Sequence, residues 1–195
     1  MLQTKVKISK VNNLTDARYF AAMGVDYLGF CCNTGTEMYC APSKISEIIQ
    51  WVEGPKVVLE FDGWQSEEDI HTMLATGLGH AIHFGAFATY TTDFSVPVFK
   101  DFILENAYLS DFDGVTYPVI RSNKNFKDLT EAELRFMEQS SQSHSIFLDI
   151  DVDDLDIPTI IESLPRCGLI LRGGEEEKTG FKSYQDLDNI FSALE

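Results

Sequence analysis

VKISKVNNLTDARYFAAMGVDYLGFCCNTGTEMYCAP, residues 6–42, reads as a strand, a capped helix, a second strand and the loop that leaves it. Val6, Ile8 and Val11 lead into Asn12–Asn13. Thr15–Asp16 then supply side-chain oxygens that can accept from the first N–H groups of a helix. Ala17, Tyr19, Phe20, Ala21 and Met23 form one apolar stripe at helical spacing, and Gly24 ends it. Tyr27 to Cys32 follows as an unbroken apolar run, the pattern of a strand covered on both faces. A strand, a short helix and a buried strand within about 30 residues predict a βαβ unit with parallel pairing.

The same alternation continues outward from this unit. Ser43 to Val52 has helical period and breaks at Gly54–Pro55; Lys56 to Phe61 is a third strand, and Ser66 caps a helix with acids in its first turn. Ala81 to Gly85, Val96 to Lys100 and Asp113 to Ile120 read as strands four to six. The helical pattern is weak over 86–94 and 103–111, where one turn or a loop is expected. The end is plainer: a helix over Leu129 to Met137, a strand over Ser145 to Leu148, and a helix introduced by Pro158. A last strand at Gly168 to Leu171 and a striped helix from Tyr184 to Leu194 complete the chain. Eight strands at about 24 residues per unit predict a single α/β domain over 1–195, a (β/α)8 TIM barrel. A doubly wound open sheet is the alternative.

Composition narrows the function. The chain of 195 residues is 44% apolar and carries a formal charge of −16. Such a charge argues against nucleic acid, whose binders need a basic face, and disfavours anionic ligands unless a local basic site overrides it. No apolar run has the ~20 residues of a membrane span. MLQTKVKISK has no apolar signal core, so a cytoplasmic location is expected. Cys31, Cys32, Cys40 and Cys167 contain no CxxC pair and read as reduced, buried thiols. No GxSxG, P-loop or GxGxxG motif occurs, and no cofactor is expected.

Several stretches together resemble the phosphoribosylanthranilate isomerase family of tryptophan biosynthesis. Lys7-Ile8-Ser9-Lys10, Leu14-Thr15-Asp16-Ala17, Met23-Gly24-Val25-Asp26, Leu28-Gly29-Phe30 and Ala41-Pro42 match that family's KICG, LEDA, AGAD, LGF and SP in order and without a gap. Arg172-Gly173-Gly174 and Thr179-Gly180-Phe181-Lys182 are similar to its phosphate-binding turn after strand eight. The resemblance implies a barrel whose site lies at the C-terminal strand ends. It also implies an Amadori rearrangement that needs a general base, the Cys of KICG, and a general acid, the Asp of LLD[ST] in strand six.

This sequence departs from the family at those positions. Ser9 replaces the base, and a hydroxyl without a partner to take its proton is not one. Pro118 falls at the acid position, and Tyr117, one residue earlier, is a weak acid with a pKa of about 10. Met38 takes the place of the Arg facing the substrate carboxylate. The strand-four His falls on Phe84, with His83 beside it. Leu148-Asp149-Ile150-Asp151-Val152 replaces LAGGL, where two glycines admit a phosphate. Arg172, Gly173, Gly174 and Lys7 are the candidate ligand residues, although Lys7 can equally pair with an acid such as Glu60. Asp149 and Asp151 are candidates for a divalent cation; the neighbouring Asp153 to Asp156 can as well charge a helix N-terminus. Three functions are therefore open. One is a degenerate barrel that has lost the isomerisation and holds a small phosphorylated or anionic ligand. The second is the isomerase working through Ser9, Tyr117 or Asp149, and the third a different barrel enzyme using Asp149, Asp151 and a cation.

Overall fold

Burial decides which strand faces pair with what, and the chain alternates accordingly. The computed structural model describes residues 1–63, 65–89, 93–108, 110–173, 176–178, 181–182 and 184–195. Strands β1 (Val6–Ser9), β2 (Tyr27–Cys31), β3 (Lys56–Phe61), β4 (Ala81–Phe84), β5 (Val98–Ile103), β6 (Tyr117–Asn125), β7 (Ile146–Asp151) and β8 (Cys167–Arg172) pair in parallel, each with the next. β8 then pairs with β1, Val6 opposite Leu169 and Ser9 opposite Arg172, so the sheet closes. The open-sheet alternative is excluded by that pairing. A short antiparallel pair, β9 (Glu176–Lys178) and β10 (Phe181–Lys182), stands beyond β8.

Helices α1 (Leu14–Ala22), α2 (Pro42–Ile49), α3 (Glu67–Ala75), α4 (Leu104–Ala107), α5 (Glu131–Ser143), α6 (Ile157–Ser163) and α7 (Gln185–Leu194) cover the outside. The cap of α1 is Asn13, whose Oδ1 accepts from the Asp16 N–H at 2.8 Å, two residues before Thr15 of the expected Thr15–Asp16 cap. Thr130 and Glu133 form a reciprocal capping box at α5. The weak middle pattern resolves into the single turn of α4 after β5, and the described residues between β4 and β5 contain no helix. No described helix is long and apolar enough to cross a membrane.

Outward strand residues such as Ile8, Phe30, Leu59, Ile82, Ile120 and Leu148 pack under the helices. Inward residues fill the lower half of the barrel with an apolar plug: Tyr27, Val58, Ala81, Phe99, Val119, Phe147 and Ile170, with Tyr117 against it. Period-two alternation then sends the next inward residue of each strand to the layer above. On β2 that residue is Gly29, and a Cβ there would lie 2.5 Å from Cδ of Glu60 and nearer still to its Oε1. Glycine is required because the Glu60 carboxylate occupies the space. Gly29→Ala is expected to displace that carboxylate and destabilise the fold by about 3 kcal/mol, a fall of roughly 10 °C in Tm. Thermal unfolding by circular dichroism checks it; an unchanged Tm would show that the interior yields without loss.

Candidate functional site

The layer above the plug is charged, and its members come from seven strands. The Lys7 ammonium on β1 donates to Glu60 Oε1 on β3 and, at 2.7 Å, to the Ser9 hydroxyl. His83 on β4 stands 3.9 Å from Glu60 through Nδ1 and 2.8 Å from Asp101 Oδ1 on β5 through Nε2. Arg121 on β6 places Nη1 2.6 Å from Asp101 Oδ2 and Nε 2.7 Å from Asp149 Oδ2 on β7. Arg172 on β8 adds Nη2 at 2.6 Å to that same Asp149 oxygen. The result is a belt of alternating sign from Lys7 round to Arg172.

Burial makes this belt decisive for the chemistry. Lys7, Glu60, His83, Asp101 and Asp149 are all buried. Burial alone pushes the Glu60 carboxyl up, but the Lys7 ammonium and then His83 outweigh it and hold Glu60 below the usual carboxylate range. Asp149 is likewise raised by burial and lowered further by Arg172 and Arg121, for a net fall. Burial and Lys7 work against a charged His83; Asp101 and Glu60 prevail and raise it above its ordinary 6.5. With His83 protonated, four cations (Lys7, His83, Arg121, Arg172) face three carboxylates (Glu60, Asp101, Asp149). Arg172, paired with Asp149, is the exposed end of the belt.

Above β6, β7 and β8 opens a cavity of about 630 Å3 whose described lining includes Lys10, Arg121, Ser122, Asp149, Asp151 and Arg172. This position, at the C-terminal strand ends, is where barrels of this architecture carry their ligands. Arg172 lines it as the sequence suggests, with Gly173 half-buried behind it, while Gly174 lies outside the described residues. Lys7 does not line it and takes the other role open to it, the ion pair with Glu60.

Three sequence readings need correction. β6 begins at Tyr117, four residues later than the sequence pattern suggests, so Tyr117 lies at the plug end of the barrel. There its hydroxyl accepts from Tyr27 at 3.3 Å, remote from the strand's C-terminal end. Pro118 alternates to the outer face, away from the acid position it was assigned. The inward residue nearer the C-terminal end of β6 is Arg121, which lines the cavity. On β4 it is His83 that faces inward, whereas Phe84 packs outward against Phe61. Arg121 and Asp101 do not stand out in the sequence, and His83 stands there only as the neighbour of Phe84, because apolar runs set the strand frame. The available signal was a charged residue two places after an inward apolar one on successive strands.

Asp149 and Asp151 do not form a metal pair in this arrangement. Asp149 is held by two guanidinium groups, and Asp151 is exposed at the strand end. Among the described residues no group of three or more His, Cys, Asp or Glu side chains is placed to hold a metal ion. All four cysteines are free and buried, and burial pushes the Cys32 thiol up to about 12. Cys31 ends β2 beside Thr36, at 3.5 Å, and does not line the cavity.

Comparison with solved structures places the chain among phosphoribosylanthranilate isomerases in architecture. The enzyme from Thermus thermophilus superposes with a TM-score of 0.72 at 20% identity, over 97% of this chain and 98% of that one. That from Pyrococcus furiosus gives 0.72 at 16%, over 98% of each. An isomerase solved in complex with reduced 1-(o-carboxyphenylamino)-1-deoxyribulose 5-phosphate gives 0.74 at 15%, again over 98% of each. The likeness is one of fold. No family model matches the chain, and no curated protein matches it.

The belt makes two predictions. Lys7→Met leaves the Glu60 carboxylate buried without its cation and is expected to destabilise by about 3–5 kcal/mol. Adding Glu60→Gln should recover most of that loss, read as Tm in a double-mutant cycle; equal losses in single and double variants would contradict it. Stability should also fall at both pH extremes. The depressed Glu60 and Asp149 carboxyls contribute fully above their unfolded values of 4.5 and 3.8, and the contribution is lost as pH falls through their lower folded values. His83, raised, contributes fully below 6.5, and that share is lost as pH rises through its folded value. Urea midpoints between pH 3 and 9 check this, with His83→Gln expected to abolish the alkaline decline only.

Proposed function

We propose that this chain is a divergent phosphoribosylanthranilate isomerase-like barrel in which the Amadori isomerisation is lost and the mouth binds a small phosphorylated or anionic ligand. One observation carries the reading: Ser9 stands at the family's base position, and the inward residue near the C-terminal end of β6, the strand on which the family keeps its acid, is Arg121. Removing a C2 proton needs a group that can accept it near neutral pH, and protonating a ring oxygen needs one that can give it. The Ser9 hydroxyl receives a hydrogen bond from the Lys7 ammonium, so its nearest neighbour offers protons and takes none. A guanidinium stays protonated at every relevant pH and cannot act as the acid. Glu60 and Asp149 are held ionised by their cations, so neither is poised to exchange a proton. His83, raised above its ordinary value by Asp101 and Glu60, is buried beneath the mouth and does not line the cavity.

The same belt supports the anion. It ends on the cation Arg172, whose side chain is 48% exposed and lines the cavity with Lys10 and Arg121. Asp149 keeps Arg121 when Arg172 leaves it, so Arg172 can turn to a ligand without stranding a buried charge. Its planar fork suits phosphate or carboxylate bidentately. Against a chain charge of −16, this group of cations is the feature that would draw an anion to one place.

Two measurements test the reading. The purified chain should not turn over N-(5′-phosphoribosyl)anthranilate and should not rescue a tryptophan auxotroph lacking the isomerase; turnover would overturn the loss of activity. Inorganic phosphate in the millimolar range should raise Tm by a few degrees in the native chain and by none in Arg172→Ala. Equal stabilisation of both would remove Arg172 from the site.

A further inference from the structure

The residue after Ser9 is the unusual one. Lys10 is the only non-glycine residue with a positive φ among those described, at 58°. Its place corresponds to the glycine of the KICG pattern, and glycine is the residue that takes a left-handed conformation without strain. Side chains in this region are strained through the clash of Cβ with the following carbonyl. Such strain persists where something else fixes the conformation, and it concentrates at functional positions. Here the Lys10 N–H donates to Glu60 Oε2 at 3.0 Å, so the belt itself holds the turn.

That turn sends a cation to the cavity. Lys10 lines it beside Arg172, and its Nζ pairs with Asp62 Oδ2 at 2.9 Å, with the two side chains 36% and 25% exposed. The belt runs unbroken from Lys7 to Arg172 but does not close across the seam between β8 and β1. At this seam no carboxylate among the described residues bridges Arg172 to Lys10. The two cations oppose each other: burial and Arg172 both work against the charged Lys10, and Asp62 and Glu60 prevail to keep its ammonium raised. A dianion seated between them would relieve that repulsion and receive donors from both sides.

We infer that Lys10 is a ligand-contacting and specificity-determining residue, which with Arg172 clamps a dianionic group, a phosphomonoester, at the β8–β1 seam. This deepens the reading of an anion-binding mouth and rests on it. A phosphomonoester carries about −1.5 to −2 charge at neutral pH and three acceptor oxygens, enough to engage a guanidinium fork and an ammonium together. A monocarboxylate has one charge to share and gains less from the second cation. The Asp62 pair competes with the ligand for Lys10, since both need the same ammonium.

The test is calorimetric titration of the full chain with inorganic phosphate, ribose 5-phosphate and acetate, repeated on Lys10→Gly and Asp62→Asn. Lys10→Gly is expected to weaken phosphate and ribose 5-phosphate at least tenfold with Tm unchanged or raised, because glycine relieves the left-handed strain. Asp62→Asn frees the ammonium and should tighten both phosphates severalfold, while acetate changes by less than twofold in either variant. Phosphate binding of equal strength in native chain and Lys10→Gly would overturn the role of Lys10 and leave the anion site standing. Absence of phosphate binding in the native chain would overturn both. Loss of binding in Lys10→Gly accompanied by a fall in Tm, with Asp62→Asn unchanged, would mark Lys10 as structural and overturn the clamp.

Discussion

A carboxylate inside a protein survives only beside a cation, and this barrel is built round that constraint. Glu60, Asp101 and Asp149 project into a volume from which water is largely excluded. Each therefore needs a positive partner within a few ångströms. The closed sheet supplies those partners from neighbouring strands: Lys7 for Glu60, His83 and Arg121 for Asp101, Arg121 and Arg172 for Asp149. Closure and charge pairing depend on each other. Were β8 not hydrogen-bonded to β1, Lys7 and Arg172 would not be held at opposite ends of the same ring of strands.

From this constraint follow both what the interior can do and what it cannot. Charges locked in pairs are poor proton shuttles, because releasing a proton from one strands its partner in a low-dielectric site. They are also preorganised electrostatics, and preorganised cations bind anions without reorganising at the moment of binding. Two cations meet at the β8 end, where Arg172 is half-exposed and Lys10 approaches from the end of β1. An interior that opposes proton transfer and a rim that favours an anion are therefore two consequences of one arrangement.

Much of the fold was legible in the sequence because strand and helix periods are local properties. The βαβ unit at residues 6–42, the helix read over Leu129 to Met137 and found at Glu131–Ser143, and the last strand read at Gly168 to Leu171 and found at Cys167–Arg172 all announce themselves in apolar spacing. The site was legible only in part. Lys7, Arg172 and Asp149 stand out as charged residues on apolar strands, but which partner each finds is set by register between strands far apart in sequence. Strand six shows the difficulty: Val115 and Tyr117 extend the apolar pattern forward, so the frame starts early and the inward residue seems to be Pro118 instead of Arg121. The left-handed turn at Lys10 left no signal, since a lysine there contradicts local preference.

The central claim is that the interior carboxylates stay ionised because they are paired. Carboxyl carbon NMR of Glu60 and Asp149 followed from pH 8 down to pH 4.5 measures this most directly, site by site. Both signals are predicted to hold the chemical shift of a carboxylate throughout that range, as their lowered pKa values require. Protonation of either residue between pH 5 and 8 would contradict the account, because it would place a working acid or base inside the barrel.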